Sequence, residues 1–124
     1  NQYYGWYEKQ PEDLEPFGKD HSIRKPVIIS ETGGGAAFGF HGPKSQRWTE
    51  ESQADLYNRL IDQIDKFDRV KGLTPWILFD FRTPWRVNRW QKGFNRKGLI
   101  DNSGKKKAAF KVLQCYYAFK SQRR

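Results

Sequence analysis

The sequence predicts an α/β fold, and three observations carry that expectation. Val27-Ile28-Ile29 is a β-branched apolar run without polar alternation, as in a strand covered on both faces of a parallel sheet. Trp76-Ile77-Leu78-Phe79 is a second run of that kind. Between them Tyr57, Leu60, Ile61, Ile64 and Phe67 recur at helical spacing. Apolar strands alternating with amphipathic helices imply parallel pairing through helical crossovers.

The elements follow in order. Residues 1–7 are aromatic-rich and read as the end of a strand. Residues 10–20 open with Pro11 and place Glu12 and Asp13 in what would be a first helical turn, where a fixed φ and negative charge both suit a helix start. A short, weakly amphipathic helix is expected there. The strand at residues 27–29 ends in Ser30-Glu31 and runs into Thr32-Gly33-Gly34-Gly35. After a loop, Thr49 is placed as an N-cap, followed by Glu50 and Glu51 in the first turn of a helix of about five or six turns. Gly72 restarts the chain, and the second apolar run ends in Asp80. A long aromatic and basic loop spans residues 82–97. Gly98-Leu99-Ile100 reads as a third, short strand. Ser103-Gly104 precedes a last helix on which Ala109, Val112, Leu113, Tyr116 and Tyr117 share a face, with Cys115 read as a buried, inert thiol.

The chain has 124 residues, which fits one small domain. No apolar run approaches the roughly 20 residues of a membrane span, and 16% aromatic residues argue against disorder. The net charge of +9 is uneven. Residues 1–81 carry 10 Lys or Arg against 13 Asp or Glu, whereas residues 82–124 carry 13 against Asp101 alone. Basic residues interleaved with Trp85, Trp90 and Phe94 invite a nucleic-acid-binding reading. Lys105, Lys106 and Lys107 at a helix start read instead as solvated surface. Nucleic acid and membrane are therefore set aside as partners. His21, His41 and Cys115 show no ligand spacing, so no metal and no cofactor is expected. The chain begins with Asn1 rather than Met, so the lack of a leader in it leaves its compartment unknown.

Strands that end in polar residues and long loops place Glu31 and Asp80 where a (β/α) barrel carries its reactive groups. A barrel needs eight units, and this chain supplies about three. It is either a small open α/β domain or part of a barrel. On pattern alone Glu31 is open to being a nucleophile, a base or a metal ligand, and equally a helix cap or an ion-pair partner. Asp80 is open to an ion pair with Arg82, and Trp76 to plain core packing.

Five segments then carry a resemblance. Lys25-Pro26-Val27-Ile28-Ile29-Ser30-Glu31-Thr32-Gly33 resembles the nucleophile segment of the family 2 glycoside hydrolases, the group of β-glucuronidases and β-galactosidases. Asn1-Gln2-Tyr3-Tyr4-Gly5-Trp6-Tyr7 is similar to the segment those enzymes carry on the preceding strand. Trp76-Ile77-Leu78-Phe79-Asp80-Phe81 looks like the family's last barrel strand, Asn95-Arg96-Lys97-Gly98 like its Asn-x-Lys-Gly element, and Lys106-Lys107-Ala108-Ala109-Phe110 like the start of its final helix. Thr32 stands where the family usually has Tyr or Phe, and the stretch between Tyr7 and Lys25 is shorter than usual.

The resemblance implies that residues 1–124 are the C-terminal part, about strands six to eight, of a (β/α)8 TIM barrel. It implies a retaining β-glycosidase with Glu31 as nucleophile and Tyr3 orienting it. Trp76 and Tyr7 would line the sugar site, Asp80 would touch a sugar hydroxyl or orient a neighbour, and Arg82 would add to the anion site. Asn95 and Lys97 would bind the carboxylate of a uronide, with Arg86 and Arg89 nearby. The family's acid/base Glu lies in an Asn-Glu pair, and no such pair occurs here. The partners implied are a carbohydrate and the upstream part of the same protein; the resemblance is also compatible with a homo-oligomer and with a periplasmic, secreted or lysosomal setting. The alternatives carried are a β-galactosidase of the same family, an inactive carbohydrate-binding relative and a basic nucleic-acid-binding module.

Overall fold

The computed structural model describes residues 1–14 and 24–122. Strand β1, Val27–Thr32, leads through a long loop into helix α1, Glu50–Ile64, and the chain returns as strand β2, Val70–Pro75. β1 and β2 pair in parallel, with Ile29 opposite Leu73 and Thr32 opposite Pro75. This is the expected α/β unit, but its second strand falls earlier than the apolar run at residues 76–79. Val70-Lys71-Gly72-Leu73-Thr74-Pro75 contains Gly and Pro, and its apolar positions are too few to announce a strand.

Beyond β2 the chain keeps a parallel course without a regular ladder. Ile77 N–H donates to Lys97 O (3.1 Å), Leu99 N–H to Ile77 O (3.0 Å) and Ile100 N–H to Leu78 O (2.9 Å). Residues 97–100 thus lie beside residues 77–80 and meet in a bridge between Phe79 and Ile100. The Trp76–Ile77 peptide is cis. The long loop closes on itself through a two-residue antiparallel ribbon, β3 (Phe81–Arg82) against β4 (Phe94–Asn95). Helix α2, Ala108–Ser121, ends the described chain.

Thr49 is the N-cap of α1, and its Oγ1 accepts from Ser52 N–H at 3.0 Å. The helix stops at Ile64, about four turns rather than five or six. Asp65 caps it and Phe67 N–H turns back to Ile64 O, so Phe67 belongs to the turn. Leu56, Tyr57, Leu60 and Ile64 pack between Ile29 and Leu73 of the sheet and Ala109 and Leu113 of α2, with Trp6, Leu14 and Leu99 completing the core. Of the helix expected over residues 10–20, Pro11–Leu14 forms a 3-10 turn. The remainder, and His21, lie outside the described residues.

Three burial expectations fail. Ile28 is 65% exposed, and Leu78 and Phe79 are also exposed. The helices cover one face of these strands, and no described element covers the other. Cys115 is exposed because Ala109, Leu113 and Tyr116 take the packed stripe of α2. Lys107 is buried, not solvated.

Candidate active site

Glu31 sits at the C-terminal end of β1, where the strand gives way to the glycine run. Gly33 has φ +137°, and a Cβ there would lie 2.1 Å from Tyr57 Oη and 3.2 Å from Trp76 O. Only glycine lets the chain turn this tightly between α1 and the next strand end. Segment 1–7 lies alongside, its Gln2 N–H donating to Glu31 O at 2.9 Å. That pairing brings two side chains onto the carboxylate. The Tyr3 hydroxyl donates to Glu31 Oε1, and Asn1 Nδ2 donates to Oε2 at 3.0 Å. Burial is the first reason the Tyr3 hydroxyl pKa is raised, and its bond to the Glu31 carboxylate is the second. Tyr3 therefore stays protonated as a donor.

A cleft of about 300 Å³ opens over this carboxylate. Tyr3, Tyr7, Glu31, Trp76, Asn95 and Lys97 line it, together with Phe81, Thr83, Trp85 and Arg86. Lys97 Nζ donates to the Tyr7 hydroxyl and stands 4.9 Å from the centre of the Tyr3 ring and 4.3 Å from that of Tyr7. Such approaches to ring faces favour a cation. Burial depresses the Lys97 pKa, the Tyr7 hydrogen bond opposes that fall, and the nearby Arg86 adds to it; the net direction is down. Burial pushes Tyr7 up, but Lys97 and Arg86 outweigh it and its pKa is lowered. Asn95 Oδ1 accepts from Lys97 N–H at 3.1 Å, which fixes the turn and leaves the Asn95 amide hydrogens as its free donors. Trp76 meets Phe81 edge-on at 6.1 Å.

Six of the eight site residues expected from the sequence thus share one cleft. Asp80 and Arg82 do not join them. The Asp80 side chain is fully buried, paired with Lys107 at 2.8 Å and with Arg96 at 3.2 Å, so it is closed to a sugar, and its ion-pair partners are not Arg82. Arg82 lies over the Phe94 ring, 5.8 Å from its centre, and is not a lining residue. Of the three loop arginines expected to add to the anion site, Arg82 and Arg89 do not line the cleft and Arg86 does. A turn sets it, with Arg86 N–H donating to Thr83 O and Gly93 N–H to Arg86 O, and its buried Nε has no partner among the described residues. Three arginines share this loop, and spacing alone did not say which one faces inward. Thr83 carried no signal, and Phe81 entered only as the last residue of the segment 76–81. Trp90 is drawn away from the cleft, stacked on Trp48 at 5.9 Å.

This arrangement can hold an anion beside an ionisable carboxylate. No family model matches the chain. A β-glucuronidase of Paenibacillus borealis is 33% identical over 92% of the chain, and that of Mus musculus is 30% identical over 94%. The β-glucuronidase structure of Ruminococcus gnavus superposes with a TM-score of 0.83 at 25% identity, and a family 2 β-galacturonidase of Eisenbergiella tayi with 0.81 at 28%, each over 95% of the chain. Over nearly its whole length the chain is similar to one part of family 2 glycoside hydrolases. It spans about a fifth of the length of the curated relatives it matches and 22% of those two solved chains.

Proposed function

We propose that this chain is part of the (β/α)8 barrel of a retaining β-glycosidase acting on β-linked uronides, and that it contributes the nucleophile side of the active site. The supporting observation is that the Glu31 carboxylate and the Lys97 ammonium line one cleft, each hydrogen-bonded to its own tyrosine.

Glu31 attacks the anomeric carbon while a second carboxyl group protonates the departing oxygen. The resulting glycosyl ester is then hydrolysed by water that the second group deprotonates, with the two carboxyl groups about 5–5.5 Å apart. That second group comes from the upstream part of the protein, since the Asn-Glu pair is absent from this chain. Donors from Tyr3 and Asn1, one on each carboxylate oxygen, hold the Glu31 side chain in a fixed orientation for attack. Lys97, the Asn95 amide and Arg86 receive the sugar's carboxylate. An ammonium and N–H donors hold an anion better than they hold a hydroxyl. Trp76 walls the sugar's apolar face. Glucuronides and galacturonides both carry this carboxylate, so the reading commits to uronides as a class. The 124 residues alone are not catalytic on this reading.

Replacing Glu31 with Gln in the full-length protein should abolish turnover of a nitrophenyl β-uronide while leaving the fold intact. Ordinary turnover by that variant would sink the nucleophile assignment. Lys97→Ala should cost far more on the uronide than on the matching neutral glycoside, and equal losses would remove the carboxylate-binding role.

A further inference from the structure

We infer that Lys107 and Asp80 are positioning residues for the anion-binding turn, a buried brace that sets where Lys97 stands relative to the loop behind Glu31. The inference rests on the uronide reading above and deepens it.

Lys107 lies in a run of three lysines, yet its side chain is fully buried. An ammonium has three hydrogens, and all three are used. Nζ donates to Ala36 O at 2.7 Å, to Asp80 Oδ1 at 2.8 Å and to Arg96 O at 3.1 Å. Asp80 is just as fully engaged. Its Oδ1 also accepts from Gly98 N–H at 2.8 Å, and its Oδ2 accepts from Arg96 at 3.2 Å. Ala36 N–H closes the circuit on Arg96 O at 2.9 Å.

The residues on both sides of Lys97 are therefore pinned to one buried ion pair. Ala36, three residues past Gly33, is pinned to the same pair. Lys97 itself sends its side chain into the cleft. Gly98 leaves the turn no room to shift, because a Cβ there would come within 2.2 Å of Asp80 N and 2.5 Å of Asp80 Oδ1. Burial is the strongest influence on both partners, moving Lys107 down and Asp80 up against their mutual attraction. A buried ion pair is weak ground for claiming stability, since well-packed apolar replacements often do as well. The property an apolar pair cannot supply is the ion pair's three bonds to the backbone, at Ala36 O, Arg96 O and Gly98 N–H, with a fourth to the Arg96 side chain. Lysine is a long, flexible side chain, so its reach to a sugar carboxylate depends on where its backbone is held.

The test uses the full-length protein and paired nitrophenyl β-uronide and neutral β-glycoside substrates. Lys107→Met should raise KM for the uronide about tenfold or more with a smaller change in kcat, because misplacing a binding group by about 1 Å can cost up to about a hundredfold. The uronide-to-neutral ratio of kcat/KM should fall by a similar factor. A general loss of folded protein lowers both substrates together and cannot move that ratio. In the Lys97→Ala background, Lys107→Met should lower the ratio no further. If the Met variant does not fold, Asp80→Asn carries the same readout, since it keeps the shape and removes the charge. A ratio left unchanged while Lys97→Ala still collapses it would overturn the brace and leave the uronide reading standing. A ratio unmoved by Lys97→Ala itself would overturn both.

Discussion

The Tyr3 hydroxyl donates to Glu31 Oε1 across two chain segments that are joined by the Gln2–Glu31 backbone bond. The ring packs against the core, while the hydroxyl belongs to the carboxylate's immediate surroundings. Removing it should act on chemistry more than on binding. A hydrogen bond to a charged group contributes about 1.5–3 kcal/mol. Tyr3→Phe in the full-length protein should accordingly lower kcat by roughly ten- to a hundredfold, with KM changed little. A change confined to KM would show that Tyr3 serves the substrate rather than Glu31.

Lys97 is depressed by burial and held up by Tyr7. An ammonium loses its charge as pH rises through its pKa, and with it the attraction for a carboxylate. KM for a uronide should therefore climb on the alkaline side before the pH reaches the ordinary lysine value of 10.5, while KM for the neutral glycoside stays level. Because the Tyr7 hydrogen bond raises Lys97, Tyr7→Phe should move that climb to lower pH. A shift in the opposite direction would mean that Tyr7 acts on Lys97 as a proton donor rather than as an acceptor.

Gly33 is the tightest point of the loop that follows Glu31. Gly33→Ala places a methyl group on Tyr57 Oη at a φ that side chains rarely adopt, so it should destabilise the protein by more than about 1 kcal/mol. Tyr57→Phe removes the atom that is struck. The double variant should recover part of the loss in a denaturant titration, with the remainder due to φ. No recovery would assign the whole cost to the backbone.

The β1–α1–β2 core was legible because its helix announces itself by spacing and Val27-Ile28-Ile29 by its β-branched run. The β2 strand was hidden, since Lys71, Gly72, Thr74 and Pro75 dilute its apolar signal. The apolar run after it proved to be a continuation whose Leu78 and Phe79 face outward. In the candidate site, quoted motifs brought Tyr3, Glu31, Asn95 and Lys97 together because such motifs carry backbone geometry with them. The partners of Asp80 were hidden because a carboxylate at a strand end looks the same whether it meets solvent or a buried lysine. Only the return of α2 beneath the turn decides between those two.

Glu50 supplies a helix cap that no spacing in the chain announces. Helix α2 starts at Ala108 after Lys107, whose side chain makes no capping bond. Cations at a helix start oppose its dipole. Glu50, in the first turn of α1, reaches across so that Oε2 accepts from Ala108 N–H at 2.8 Å, while Oε1 accepts from Gly39 N–H at 2.7 Å. A buried carboxylate thus serves an orphan donor of α2 and ties the loop after β1 to both helices. Glu50→Ala should cost about 1–3 kcal/mol in unfolding free energy, since it leaves buried N–H groups unsatisfied. Glu50→Gln keeps an acceptor and should cost less. Equal stability of the Ala variant and the unaltered protein in denaturant titrations would rule out the cap. A loss in the Ala variant that Gln does not lessen would assign the effect to charge at the α2 dipole rather than to the hydrogen bonds.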